Sequence, residues 1–134
     1  MTNVLSGALD VLRRLEEAGY EAVLVGGMVR DLLCGFPAAD ADIASNIPLA
    51  DAVPLFPAGR LLGPEGMKVL LLPIEQGHCE VFSYSGGSLK DDLSRRDFTV
   101  NALALRRTGE VVGSRRSMAD VASRVLRFNG PARE

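Results

Sequence analysis

Cysteine, histidine and long apolar runs are scarce in this sequence, and each scarcity excludes something. Two cysteines, Cys34 and Cys79, and one histidine, His78, cannot by themselves complete a four-ligand zinc site. Buried free thiols are the expectation for both cysteines. No apolar run approaches the roughly 20 residues that span a bilayer, so no membrane association is expected. The N-terminal Met-Thr-Asn-Val-Leu-Ser has no basic stretch followed by an apolar one. No secretory signal is therefore expected, and a cytoplasmic location is. There are only 7 prolines, and no repeat, low-complexity tract or linker. What is present is 134 residues, 47% hydrophobic and 24% charged, which is the composition and size of one globular domain.

The formal net charge is −2, which argues against a chain that coats nucleic acid by bulk charge. That total hides an asymmetry. Residues 1–92 carry 6 Lys and Arg against 13 acids, whereas residues 93–134 carry 9 Arg against 4 acids.

Hydrophobic spacing predicts a helix over Val4–Ala18, with a stripe at Leu5, Ala8, Leu9, Leu12 and Leu15 and Gly19 as its stop. Ala22–Val25 reads as a strand ending at Gly26-Gly27, and Met28–Leu33 resumes a helical pattern. Asp40–Ala44 alternates acid and apolar, as a strand does. Pro48–Leu55 reads as a short helix limited by Pro54. Strands are expected at Ala58–Leu62, Met67–Leu72, His78–Tyr84, Leu103–Leu105 and Val111-Val112. Ser88-Leu-Lys-Asp91 and Ser117-Met-Ala-Asp120 match capping boxes. Strands interleaved with unequal helices predict one α+β domain around a small mixed β-sheet flanked by helices.

Three segments could carry chemistry. In Asp40-Ala-Asp42-Ile43, residues two apart on a strand share a face, so two carboxylates stand side by side above apolar Ala41 and Ile43. A divalent cation relieves that repulsion, and Mg²⁺ takes one or two carboxylates plus substrate phosphates. Alone, the pair is better read as an exposed acidic strand face. In Val25-Gly26-Gly27-Met28-Val29-Arg30-Asp31, a strand runs through two glycines into a helix. Glycines admit a phosphate close to the backbone, a helix N-terminus offers free N–H groups, and Arg30 supplies paired donors. Alone, a tight strand–helix turn with a surface Arg30–Asp31 pair fits equally well. An anion cradle shortly before a metal-type carboxylate pair tips both toward function. The third segment, Asp92 to Ala102, sets Arg95, Arg96, Asp97 and Asn101 together. Arginines suit triphosphates, and Asp or Asn suits ribose hydroxyls or a base edge. A helix start capped by Asp97 is the plainer alternative.

Gly26–Asp31, Asp40–Ala44 and Arg95–Ala102, in that order, resemble the signature of the class II tRNA nucleotidyltransferases and bacterial poly(A) polymerases. The resemblance runs from Gly19-Tyr20 to Arg127-Phe128 and implies a DNA-polymerase-β-like nucleotidyltransferase fold. It implies that Gly26, Gly27 and Arg30 hold the triphosphate, and that Asp40 and Asp42 bind Mg²⁺. It further implies that Arg96, Asp97 and Asn101 contact the nucleotide. Glu80 stands where the family has a third strand-borne acid, suited to positioning the attacking hydroxyl. An acid paired to an arginine is its plainer alternative. The implied reaction adds AMP or CMP, from ATP or CTP, to the 3′ end of RNA, with tRNA as the expected acceptor. Two metal ions would stabilise the attacking 3′-oxygen and the departing pyrophosphate. No histidine base is then required, and His78 is expected to be a surface or strand residue and not a catalyst.

The resemblance also implies that residues 1–134 form a single head domain, with the family's neck, body and tail absent. The helix that selects C or A is expected to lie outside the chain, and a companion chain could supply the missing body. The segment between Tyr84 and Ser88 is shorter than in the family. Transfer to a small molecule or a protein, and a nucleotide-binding regulatory module without turnover, are the alternatives. Some of Arg106, Arg107, Arg115, Arg116, Arg124 and Arg127 are expected to form a shallow RNA-facing patch beside the site.

Overall fold

The computed structural model describes residues 3–26, 29, 40–65, 68–74, 77–84 and 103–113. The expected Met28–Leu33 helix (Val29 apart), both capping boxes and Cys34 lie outside these residues.

Helix α1 (Asn3–Glu17) forms where the apolar stripe predicts it. Ala8, Val11, Leu12 and Leu15 are buried against the sheet, with Leu5 and Leu9 packed beside them. On its outer side Arg13 pairs with Asp10 and with Glu17, and Arg14 with Asp10. The helix ends as the sequence requires. Gly19 adopts φ 95°, its N–H donates to the Glu16 carbonyl, and the Tyr20 N–H donates to the Leu15 carbonyl. That reciprocal pair satisfies carbonyls left open by the last turn and needs a residue free of Cβ strain.

The sheet contains β1 (Ala22–Val25), β2 (Ala41–Ser45), β3 (Arg60–Leu62), β4 (Val69–Ile74), β5 (Gly77–Ser83), β6 (Ala104–Leu105) and β7 (Val111–Val112). Their spatial order is β3-β4-β5-β2-β1-β6-β7. Only β2 and β5 pair in parallel among the described strands, so the sheet is mixed. Between β2 and β3 lie a short helix, α2 (Leu49–Ala52), and a 3₁₀ turn (Val53–Leu55). Pro54 has no N–H to continue an α-helix, which is why the expected Pro48–Leu55 helix tightens there.

The two faces of the sheet differ. Ala22, Leu24, Ala41, Ile43, Leu70, Leu72, Cys79 and Val81 form the core with α1. Val23, Val25, Ala44 and Ala104 form a second buried cluster, with Phe82, Tyr84 and Val112 against it. β4 runs through Pro73 instead of stopping before it. Its neighbour β3 begins at Arg60, opposite Leu71, so Pro73 has no ladder partner on that side and its missing N–H costs little.

Polar contacts lock one end of the central strands. The Ser45 hydroxyl donates to the Glu21 carbonyl at 2.6 Å and accepts the Ile47 N–H at 3.1 Å. The Glu21 N–H donates to Asn46 Oδ1 at 2.9 Å, and the Ser83 hydroxyl to the Ile47 carbonyl at 2.7 Å. The Tyr84 hydroxyl donates to Glu21 Oε1 at 2.5 Å.

Candidate active site

The opposite end of the same strands holds the acids. Asp40 immediately precedes β2, and Asp42 lies within it. Burial alternates at the start of β2: Asp40 is exposed, Ala41 buried, Asp42 half-buried and Ile43 buried. Ala41 and Ile43 face the core under α1, which turns Asp42 to the other face. On that face Asp42 is paired in register with exposed Glu80 of β5 on one side and with Val25 of β1 on the other.

Gly26 follows Val25 directly and adopts φ 76°, the left-handed region that glycine enters without strain. Its carbonyl accepts the Val29 N–H at 3.1 Å. Gly26 therefore leaves β1 beside the carboxylate end of β2. β6 enters the sheet at the same end, since Ala104 pairs with Val25. Leu103, the first described residue after the third motif, is buried there. Gly27, Arg30, Arg96, Asp97 and Asn101 themselves lie outside the described residues.

The charge of the carboxylates is felt through the sheet. Cys79, fully buried on the core side next to Glu80 and paired in register with Ala41, has its thiol pKa pushed up to about 12. Burial is the main cause, and the negative charges of Asp42 and Glu80 add to it. Among the described residues no three His, Cys, Asp or Glu side chains close into a metal cage. Two carboxylates with hard oxygen donors remain, the donor set that Mg²⁺ completes with substrate phosphates and water.

His78 is exposed on β5, as the sequence predicts. Arg106 and Arg107 depart from expectation. Antiparallel β6 runs away from the carboxylates, so both arginines lie toward the far end of the sheet. Arg106 pairs with Glu110 at 3.0 Å and Arg107 with Glu16 at 2.6 Å. They form no patch beside the site. Arg115, Arg116, Arg124 and Arg127 lie outside the described residues.

Residues 69–127 match the poly A polymerase head domain family. A CC-adding tRNA nucleotidyltransferase from Shouchella clausii is 40% identical over 116 residues, covering 87% of this chain and 31% of that protein. Over residues 69–127 the chain resembles the poly A polymerase head domain family. A CCA-adding enzyme from Streptococcus pneumoniae is 37% identical over 150 aligned positions, covering all of this chain and 37% of that protein. The crystal structure of the Bacillus stearothermophilus CCA-adding enzyme in complex with CTP superposes with a TM-score of 0.85 at 31% identity. It covers 97% of this chain and 34% of that one. The fold is thus that of the nucleotidyltransferase heads. The chain spans about a third of the length of these relatives. No helix among the described residues is long and apolar enough to cross a membrane.

Proposed function

We propose that this chain is the catalytic head of a Mg²⁺-dependent nucleotidyltransferase that adds AMP or CMP, from ATP or CTP, to the 3′ end of an RNA, with tRNA as the acceptor. The observation that carries the reading is the registered row Glu80–Asp42–Val25, with the left-handed Gly26 next in the chain. It sets a carboxylate pair beside the glycine at which β1 ends. The named activities of the relatives support the acceptor and the nucleotides.

In this reading Gly26 and Gly27 present backbone N–H groups to the triphosphate, and Arg30 and Arg96 clamp its oxygens. Asp97 and Asn101 accept and donate hydrogen bonds at the sugar. Asp40 and Asp42 would hold Mg²⁺, which supplies a more acidic 3′-hydroxyl and neutralises the leaving pyrophosphate. Glu80, next to Asp42, orients the attacking hydroxyl. The 3′-oxygen bonds to the α-phosphorus as the bond to pyrophosphate breaks. Positioning and charge neutralisation account for the rest of the rate.

Residues 1–134 are then one head domain, and neck, body and tail functions belong elsewhere, on a companion chain or a longer protein. A cytoplasmic location follows from tRNA as acceptor. The test is incubation of labelled ATP or CTP with tRNA, tRNA lacking its terminal CCA, and a protein mixture. Label on tRNA that disappears in Asp40→Ala and Asp42→Ala supports the reading. Label confined to protein or small molecules rejects RNA as acceptor. Binding of Mg·ATP without pyrophosphate release rejects turnover altogether.

A further inference from the structure

The carboxylates stand on a border. On the β1–β6 side of their sheet face, Val23, Val25, Ala44 and Ala104 are fully buried. On the β3–β4 side the same face is open. Leu62 is 40% exposed, Val69 and Leu71 are half-buried, and Arg60 and Pro73 are exposed. Register ties this open half to the site. Arg60 pairs with Leu71, Leu71 with Glu80, and Glu80 with Asp42, so all four stand in one lateral row on one face. Strand spacing puts Arg60 about 10 Å from Glu80.

Charge singles out the same place. Arg13, Arg14, Arg106 and Arg107 each have an acidic partner. Among the described residues Arg60 has none; it stands exposed at the edge of an apolar strip, with Lys68, also without an acidic partner, next to Val69. The geometry of the reaction supplies the direction. In-line displacement puts the attacking and leaving oxygens on opposite sides of the phosphorus. If the triphosphate lies on the Gly26 side of Asp42, the attacking hydroxyl arrives from the β5–β4–β3 side.

We infer that the open shelf of Leu62, Val69, Leu71 and Pro73 seats the 3′-terminal nucleotides of the RNA acceptor, with Arg60 holding a backbone phosphate. Arg60 is thus a positioning residue that sets the register of the 3′-hydroxyl against Glu80. The inference rests on the nucleotidyl-transfer reading above. A guanidinium gives a phosphate two parallel donors, and aliphatic side chains cover a sugar or base face without reading sequence.

The experiment uses the whole chain and a short fluorescent single-stranded RNA with a free 3′-hydroxyl, titrated by anisotropy in Mg²⁺ without nucleotide. Arg60→Glu should weaken binding about 10-fold and lower the slope of log affinity against log salt by about 0.7, one phosphate contact on a single strand. Arg60→Lys should keep the slope. Arg60→Gln, gentler to the fold, should weaken binding about 5-fold. A 3′-terminal 4-thiouridine should cross-link to the peptide carrying Val69 and Leu71. Affinity within about twofold of wild type and an unchanged slope in both Arg60→Glu and Arg60→Gln would overturn the inference. So would cross-links only outside β3–β5, or a chain that dimerises through β3 and binds no RNA. Calorimetry of wild type with Mg·ATP reads the parent proposal separately. Its failure there, with RNA binding intact and dependent on Arg60, would sink the transfer reading and leave Arg60 an RNA contact with no acceptor-positioning role.

Discussion

Asp42 and Glu80 are direct partners across the one parallel pairing among the described strands, and both turn away from the core. Two like charges on neighbouring strands repel, so their juxtaposition serves something other than the stability of the sheet. Glu80→Gln should therefore leave the thermal midpoint at or above that of wild type. Nucleotide incorporation should nevertheless fall about 10- to 100-fold, while Asp42→Asn should lose about 1,000-fold, the scale of removing preorganised charge stabilisation. Calorimetric melting alongside an incorporation assay checks both. A Glu80→Gln protein that melts lower and works normally would make Glu80 a structural residue.

Metal dependence should be visible without turnover. A ligand that binds only the folded state stabilises it by about 2.7 kcal/mol at a hundredfold excess over its Kd. Mg·ATP should therefore raise the melting temperature of wild type, and chelation by EDTA should abolish that rise. Asp40→Asn and Asp42→Asn should melt without a Mg·ATP-dependent shift. A shift of wild-type size in both variants would remove the carboxylates from the metal site.

The sequence was most readable where one local pattern sufficed. The α1 stripe, Gly19 and the alternation around Asp42 each depend on residues within a few positions of one another. Pro73 reads locally as a strand end, but whether β3 reaches that far is decided by a strand more than ten residues earlier. The role of Arg107 was hidden for the same reason, since its partner Glu16 is 91 residues away. The row from Arg60 to Asp42 is a property of register alone. Nothing in the spacing of four residues on four strands announces it.

Cys79 supplies a pH test. Its thiol ordinarily ionises near 9.0 and is pushed up to about 12 in the fold. Between those values the unfolded chain has lost the proton and the folded one keeps it. Stability therefore carries the full contribution of this group below pH 9.0 and loses it as pH rises toward 12. Denaturant midpoints of wild type should fall more steeply than those of Cys79→Ala over this range. Native Cys79 should also resist alkylation at pH 8 and react once unfolded, because the thiolate is the nucleophile. Equal slopes in the two proteins would mean the thiol is not held neutral.

Ser45 tests whether the far end of β2 sets the position of the acids. Its hydroxyl is fully buried, donates to the Glu21 carbonyl and accepts the Ile47 N–H. Ser45→Ala leaves that N–H without its acceptor, whereas the Glu21 carbonyl keeps the Asn46 N–H at 3.3 Å. The cost should be about 1–3 kcal/mol, that of a buried donor left unmet. Tyr84→Phe, which removes an exposed hydroxyl from Glu21, should cost less than about 1 kcal/mol. β2 is short, and Ser45 is only three residues from Asp42. Loosening this end should therefore also shift the acids relative to Glu80. Ser45→Ala should lower incorporation more than its loss of folded population explains, and Tyr84→Phe should not. Denaturant melts give the folded fraction, and incorporation per folded molecule separates the two effects.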